Sequence, residues 1–281
     1  MKLARYGPPG EERPALVDRE GRLRDLKAHV PDIAGAALSQ ESIASLAALD
    51  PSSLPLAEGE PRLGPCVGAI GKFLCIGLNY SDHAAETGAV VPPEPVLFSK
   101  ATSAIIGPND DVVLPRGSTK SDWEVELGVV IGTAAKYVSE DEAPRHIAGY
   151  CVVNDISERE YQLERHGTWD KGKGCDTFGP IGPWLVTPDD VGDPGNLGMW
   201  LEVSGRRFQE GSTATMVYKP AFLVSYVSRF MTLHPGDVIS TGTPPGVGMG
   251  QKPPVFLKPG DVMRLGVERL GEQQQRVVAD D

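Results

Sequence analysis

Asp122-Trp123-Glu124-Val125-Glu126-Leu127-Gly128-Val129-Val130-Ile131-Gly132 has the composition of a buried strand that opens on acidic residues. From Trp123 to Ile131 it is apolar apart from two glutamates. In an extended chain, residues two apart face the same side, so Glu124 and Glu126 place two carboxylates next to each other at the start of a buried strand. Two neighbouring buried carboxylates repel, and they need a cation or protonation. A hard divalent ion with oxygen ligands answers that need. The bland alternative is an edge strand whose polar side faces water. A second apolar run, Ala148-Gly149-Tyr150-Cys151-Val152-Val153-Asn154-Asp155, ends in a third carboxylate. If its end lies beside the first strand, Glu124, Glu126 and Asp155 form a facial three-oxygen site with positions open for substrate and water. The competing role for Asp155 is to cap the helix expected over SEREYQLERHG.

Outward from these strands, the chain beyond Lys72 alternates short β-type runs with Gly and Pro: KFLCIGLNY, GPWLVT, LGMWLEVSG and DVISTG. Helical segments are few: SDHAAETG, SEREYQLERHG and KPAFLVSYVSRFMTL, the last apolar enough to be largely buried. Residues 1–60 differ. MKLARYGPPG and ALVDREGRLRDL read as short strands with Glu20-Gly21 at a turn tip, and DIAGAALSQESIASLAALD has helical spacing that ends at Pro51. The expected architecture is α+β and β-rich, with sheets packed or rolled around a core. A small N-terminal region, 1–65, precedes a catalytic domain, 66–281.

With 38 acidic against 27 basic residues, the net charge is -11. Nucleic acid needs clustered cations and is not an expected partner. No apolar run reaches the ~18–20 residues that span a bilayer, and MKLARYGPPGEERPALVD has no apolar signal core. No membrane partner is expected, and cytoplasmic residence is. Cys66, Cys75, Cys151 and Cys175 show no CxxC spacing and read as reduced thiols.

Three further groups carry chemistry. His83 and Glu86, three apart on an expected helix, can hydrogen-bond, and a histidine held by a carboxylate is a competent base for water; a surface pair is the plain alternative. Lys173 lies in WDKGKGCDTFGP, where glycines imply a tight loop that brings a cation close to a substrate carboxylate or developing enolate. Arg159 and Gln162, three apart, either face the same site or form a polar helix face. Ser240-Thr241-Gly242-Thr243-Pro244-Pro245-Gly246-Val247-Gly248 offers hydroxyls and backbone N–H groups to a carboxylate; it lacks the Gly-Lys-Ser/Thr of a phosphate loop. Neither a dinucleotide fingerprint nor a serine-hydrolase elbow is present.

Six stretches in order, GLNYSDHAAE, EPVLFSK, DWEVELGVVIG, GYCVVNDISERE, KGKGCDTFGPIGPW and GDVISTGTPPGVG, resemble the fumarylacetoacetate hydrolase family over roughly residues 70–270. The resemblance implies a mixed β-roll, usually dimeric. It implies Mg²⁺ or Mn²⁺ on Glu124, Glu126 and Asp155, a His83–Glu86 dyad and a catalytic Lys173. Arg159, Gln162 and Thr243 match positions at the substrate's oxo-acid end, and Lys100 of EPVLFSK is grouped with them as a substrate contact. Gly174-Cys175-Asp176 departs from the Ser-Phe-Asp of many relatives. The short N-terminal region and WDKGKGCDTFGPIGPW resemble the bacterial subgroup that hydrolyses 2,4-diketo-3-deoxy sugar acids (fuconate or rhamnonate type). The implied activity is hydrolysis of a C–C bond in a 2,4-diketo acid with release of pyruvate. The rivals are oxaloacetate decarboxylation, 2-hydroxyhepta-2,4-diene-1,7-dioate isomerisation, ureidoglycolate lyase activity, and, from another class, a non-catalytic metal-binding protein.

Overall fold

The computed structural model describes residues 1–82, 86 and 92–280. In chain order the strands are β1 (Lys2–Tyr6), β2 (Arg13–Val17), β3 (Leu23–Asp25), β4 (Phe73–Gly77), β5 (Val96–Lys100), β6 (Ile105–Ile106), β7 (Val112–Leu114), β8 (Ser121–Asp122), β9 (Val125–Ile131), β10 (Ile147–Asn154), β11 (Ser157–Glu158), β12 (Gly179–Val186), β13 (Gly198–Val203), β14 (Arg206–Ser212), β15 (Val238–Ser240), β16 (Val262–Val267) and β17 (Gly271–Ala279). The main mixed sheet runs β3-β2-β1-β12-β10-β9-β15-β4-β5, with β6 on β12. A second sheet runs β14-β13-β16-β17-β7, and β11 pairs with β8. The β-rich α+β reading is therefore the observed architecture.

The composition of β9 explains its central place. Val125, Leu127, Val129 and Ile131 fall on one face, in a core shared with Leu201, Met263 and Leu265 of the second sheet. Val130 falls on the other face with Cys151 and Val153. With both faces buried, period-two alternation gives way to a nearly continuous apolar run, and the edge-strand alternative is excluded. Buried Gln273 and Gln275 of β17 join the two sheets: Gln273 Nε2 donates to the Val152 carbonyl at 2.8 Å, and Asn154 Nδ2 donates to Gln275 Oε1 at 3.1 Å.

Residues 1–65 continue this architecture. β1 pairs with β12, and Leu26, Ile33, Leu38, Leu46 and Leu54 cover the face that carries Val130 and Val153. The segments on either side of residue 65 thus share one sheet and one core. The 32–50 stretch is a 3-10 turn, Gly35–Leu38, and an α-helix, Gln40–Ala47; Ser39 separates them because its side chain accepts from Ser42 N as an N-cap. Asp170–Lys173, within the stretch read from sequence as a tight loop, is a short helix, and Pro220–Ser228 is the expected buried helix. Among the described residues no helix is long and apolar enough to cross a membrane.

Candidate metal centre and active site

β9 and β10 are antiparallel, with Glu126 opposite Val153 and Val125 opposite Asn154. The end of one strand therefore meets the beginning of the other, and Asp155 N donates to the Glu124 carbonyl at 2.9 Å. This register gathers Glu124, Glu126 and Asp155, each buried and each offering a carboxylate oxygen within 4.8 Å of the other two. Asp155 does not cap the following helix; Glu158 does, accepting from Tyr161 N at 2.7 Å. The Asp155 carboxylate is thereby left to the cluster.

Two helices deliver the cations. Arg159–Leu163 presents Arg159, whose Nε and Nη2 each lie 2.8 Å from Asp122 Oδ2 while Nη2 reaches Glu124 Oε1 at 2.7 Å. Arg159 Nη1 also donates to Gln162 Oε1 at 3.0 Å. Asp170–Lys173 presents Lys173, whose Nζ bridges Glu124 Oε2 at 2.6 Å and Asp155 Oδ2 at 2.7 Å. The two helices touch at Gly172, where a Cβ would stand 2.3 Å from the Glu158 carbonyl and 2.6 Å from Gln162 Cβ. That close approach is what the glycines flanking Lys173 provide.

The two glutamates two residues apart sit in opposite fields. Burial pushes the Glu124 carboxyl up, but Lys173 and Arg159 outweigh it and hold it at about 2. Burial also pushes Glu126 up, and Asp155 and Glu124 push it further, well above the carboxylate range. The neutral donors on Glu126 Oε2, Ser240 Oγ at 2.6 Å and Gly242 N at 2.8 Å, do not offset this. Lys173 is opposed by burial, yet Asp155 and Glu124 raise its pKa, so it stands as an ammonium.

The donor set fits a hard divalent cation. Fully ionised, Asp122, Glu124, Glu126 and Asp155 would bring four negative charges against three positive ones on Lys100, Arg159 and Lys173, and the surplus falls on Glu126, whose carboxyl holds its proton without a further cation. All three candidate ligands are carboxylate oxygens, and a lysine ammonium already bridges two of them.

Glu124, Glu126, Arg159, Gln162, Lys173 and Thr243 line one cleft of about 190 Å³. Lys100 does not. Its fully buried Nζ donates to Asp155 Oδ1 at 2.6 Å and to the Ile156 carbonyl at 2.9 Å, so it holds a candidate ligand in place instead of contacting substrate as the sequence suggested. The Thr243 hydroxyl donates to the Val125 carbonyl at 2.9 Å and accepts from Gln209 Nε2 at 2.8 Å. The glycine-rich 240–248 loop does receive a carboxylate as its composition suggested, but the carboxylate belongs to Glu126. Glu86 accepts from Gly246 N at 3.1 Å, while His83 lies outside the described residues. A larger groove of about 1180 Å³ beside Met1, Arg24 and Asp190 contains none of these residues.

Sequence reading missed Asp122, which accepts from Trp123 N, Gly248 N and Met249 N as well as Arg159, and so joins the 246–249 loop to the cluster. Its signal was its place at the head of the Trp-Glu-Val-Glu run. Asn79 was also missed: its Nδ2 donates to the carbonyls of Thr241 at 2.7 Å and Tyr218 at 3.0 Å, tying the end of β4 to the 240–243 turn.

The sequence and fold match known proteins from end to end. A protein of Burkholderia multivorans, named only as a hydrolase, is 65% identical over 276 residues, 98% of each chain. A fumarylacetoacetate hydrolase from Exiguobacterium antarcticum is 35% identical with a TM-score of 0.88, all of both chains being covered. Maleylpyruvate hydrolase from Sphingobium sp. SYK-6, solved with manganese(II) and pyruvate, is 27% identical with a TM-score of 0.83, again over the whole of both chains. The model of the fumarylacetoacetate hydrolase C-terminal region matches residues 72–278, from the first central strand through the last strand of the second sheet. With three carboxylates converging inside that match, the chain belongs to the fumarylacetoacetate hydrolase family.

Proposed function

We propose that this protein hydrolyses the C3–C4 bond of a 2,4-diketo acid of the acylpyruvate type and releases pyruvate, with Mg²⁺ or Mn²⁺ held by Glu124, Glu126 and Asp155. The observation that carries this reading is the buried three-carboxylate cluster with the Lys173 ammonium inside it. When bound, the cation supplies Lewis acidity toward the 1-carboxylate and 2-oxo group of such a substrate.

The chain's own residues supply the rest. Arg159 and Gln162 orient the oxo-acid end from one helix. Lys173 keeps a positive charge where the leaving pyruvate's enolate oxygen develops negative charge, and such a preorganised cation in a buried site acts more strongly than in water. Thr243 closes the cleft beside Glu126. His83 takes the proton from the attacking water, and Glu86, anchored on Gly246 N, orients it. Lys100 and Asp122 hold Asp155 and Arg159 in position.

Decarboxylation of oxaloacetate or isomerisation of an unsaturated oxo-diacid uses the same enolate without an attacking water, which leaves a His–Glu pair nothing to activate. A purely metal-holding protein needs no lysine between the ligands. The test is pyruvate release from a panel of acylpyruvates, a 2,4-diketo-3-deoxy sugar acid and oxaloacetate, with and without divalent metal. Metal-dependent pyruvate from the diketo acids, lost in His83→Ala while metal binding persists, is the expected result. Pyruvate from oxaloacetate alone, or unchanged hydrolysis by His83→Ala, contradicts the proposal.

A further inference from the structure

We infer that the acyl group beyond C4 of the substrate is a short, uncharged hydrocarbon group, so that the enzyme selects alkyl acylpyruvates over dicarboxylic or polyhydroxylated ones. This inference rests on the acylpyruvate reading above and specifies its substrate. The cleft is divided. Its polar residues gather at the carboxylate cluster, and its remaining lining is carbon: Ile76, Leu78, Phe98, Leu163, Trp169 and Met249. Phe98 and Trp169 meet edge to face with ring centroids 5.2 Å apart, and Lys173 Nζ lies 5.2 Å from the Phe98 ring centroid. The aromatic wall therefore begins where the charged cluster ends.

The chain is shaped to hold this wall in place. Trp169 lies so close to Gly77 that a Cβ there would stand 2.4 Å from the indole. Leu78 occupies the left-handed backbone region, φ 55°, which a branched side chain rarely adopts; the adjacent Asn79, buried and bonded to Thr241 and Tyr218, fixes that conformation.

Among the described residues that line the cleft, Arg159 and Lys173 are the cations, and both serve the carboxylate cluster and the oxo-acid end, which leaves none for a second substrate carboxylate. The two positive groups that line the cleft are committed, Lys173 to Glu124 and Asp155 and Arg159 to Asp122 and Glu124. Nearby Lys171 spends its ammonium on the carbonyls of Arg165 and His166. Glu86, beside Gly246 and Gly250, would repel a further anion. A carboxylate or diol facing this wall would lose water without regaining hydrogen bonds. The volume, about 190 Å³, is below the roughly 300–1,000 Å³ of most small-molecule sites, which limits the group to a few carbons. The sugar-acid substituent implied by the resemblance is thereby disfavoured.

The test compares kcat/KM of the Mg²⁺-loaded protein on 4-methylvalerylpyruvate, its isostere succinylpyruvate, and a 2,4-diketo-3-deoxy sugar acid. The alkyl compound should exceed both others by at least about tenfold. Equal or better turnover of either polar compound overturns the inference while leaving acylpyruvate hydrolysis standing. No pyruvate from any of the three removes the underlying reading, and this inference with it. Leu163 is 50% exposed, so Leu163→Arg should fold and should shift the succinyl-to-alkyl ratio at least about tenfold toward the dicarboxylate; an unchanged ratio places the acyl group elsewhere and overturns the inference.

Discussion

The two ends of the active-site cleft are built differently. The carboxylate end rests on the central strands β9, β10 and β15 and is locked by backbone pairing, salt bridges and short hydrogen bonds from elements far apart in sequence. The opposite end is a carbon wall drawn from the end of β4 and the turn after it, from Phe98 of β5, from the 163–169 segment and from Met249, held mainly by packing, with Asn79 fixing the turn at Leu78. Charge cancellation buried in a low dielectric is intolerant of change, whereas an apolar wall can be reshaped without disturbing the chemistry. The reaction should therefore depend on the first end and substrate choice on the second.

Substitutions can break this contrast. Glu126→Ala should have the largest effect, with a loss of metal affinity greater than the ~10–100-fold of a supporting residue and abolition of metal-dependent turnover; titration calorimetry with Mn²⁺ and the pyruvate assay would show it. Lys173→Met comes next. It removes the bridge between Glu124, which keeps Arg159, and Asp155, which keeps Lys100, so the metal-free protein should lose up to about 3–5 kcal/mol of stability, part of which saturating Mg²⁺ restores, while kcat falls about 10²–10³-fold. Equal melting temperatures with and without Mg²⁺ in this variant would show that the ammonium and the metal do not share the cluster. Arg159→Lys, which loses the fork between Asp122 and Glu124, should cost about 10–100-fold in activity. At the other end Trp169→Ala should raise KM about tenfold for an alkyl substrate and leave Mn²⁺ affinity unchanged; a fall in metal affinity would erase the distinction between the two ends.

A pH series sharpens the same contrast. Glu126, raised by burial and by Asp155 and Glu124, favours the folded state at low pH, and that stability is lost as pH rises above its unfolded value of 4.5 toward the raised folded one. Glu124, held at about 2, contributes stability above 4.5 that is lost as pH falls toward 2. The stabilisation conferred by Mg²⁺ should thus grow as pH rises above 4.5, because the ion displaces the Glu126 proton. Glu126→Gln should flatten that dependence, which thermal melts across pH would read.

The carboxylate end was the more legible in sequence. Glu126 lies in β9 with Glu124 just before it, and Asp155 directly follows β10, so the two-residue spacing and a strand end laid beside it were enough to bring them together. The partners that make the cluster tolerable were not legible: Lys100 is 55 residues from Asp155, and Ser240 is 114 from Glu126. Lys100 therefore read as a substrate contact when it is a prop for Asp155. Asp170–Lys173 read as a loop because Gly172 and the adjacent Gly174 lower helix propensity; packing of Gly172 against Gln162 overrides that preference. The carbon wall was invisible, since Phe98, Leu163 and Trp169 come from separate segments and share no spacing.

In the function proposed here, Glu124, Glu126 and Asp155 hold a divalent cation that acylpyruvate hydrolysis requires. The most direct measurement strips the protein with a chelator and follows pyruvate release from an alkyl acylpyruvate as Mg²⁺ or Mn²⁺ is added back, for the native chain and Glu126→Gln. Recovery should be saturable in the native chain and absent in the variant. Full turnover in the stripped protein, or equal recovery in both, would contradict it.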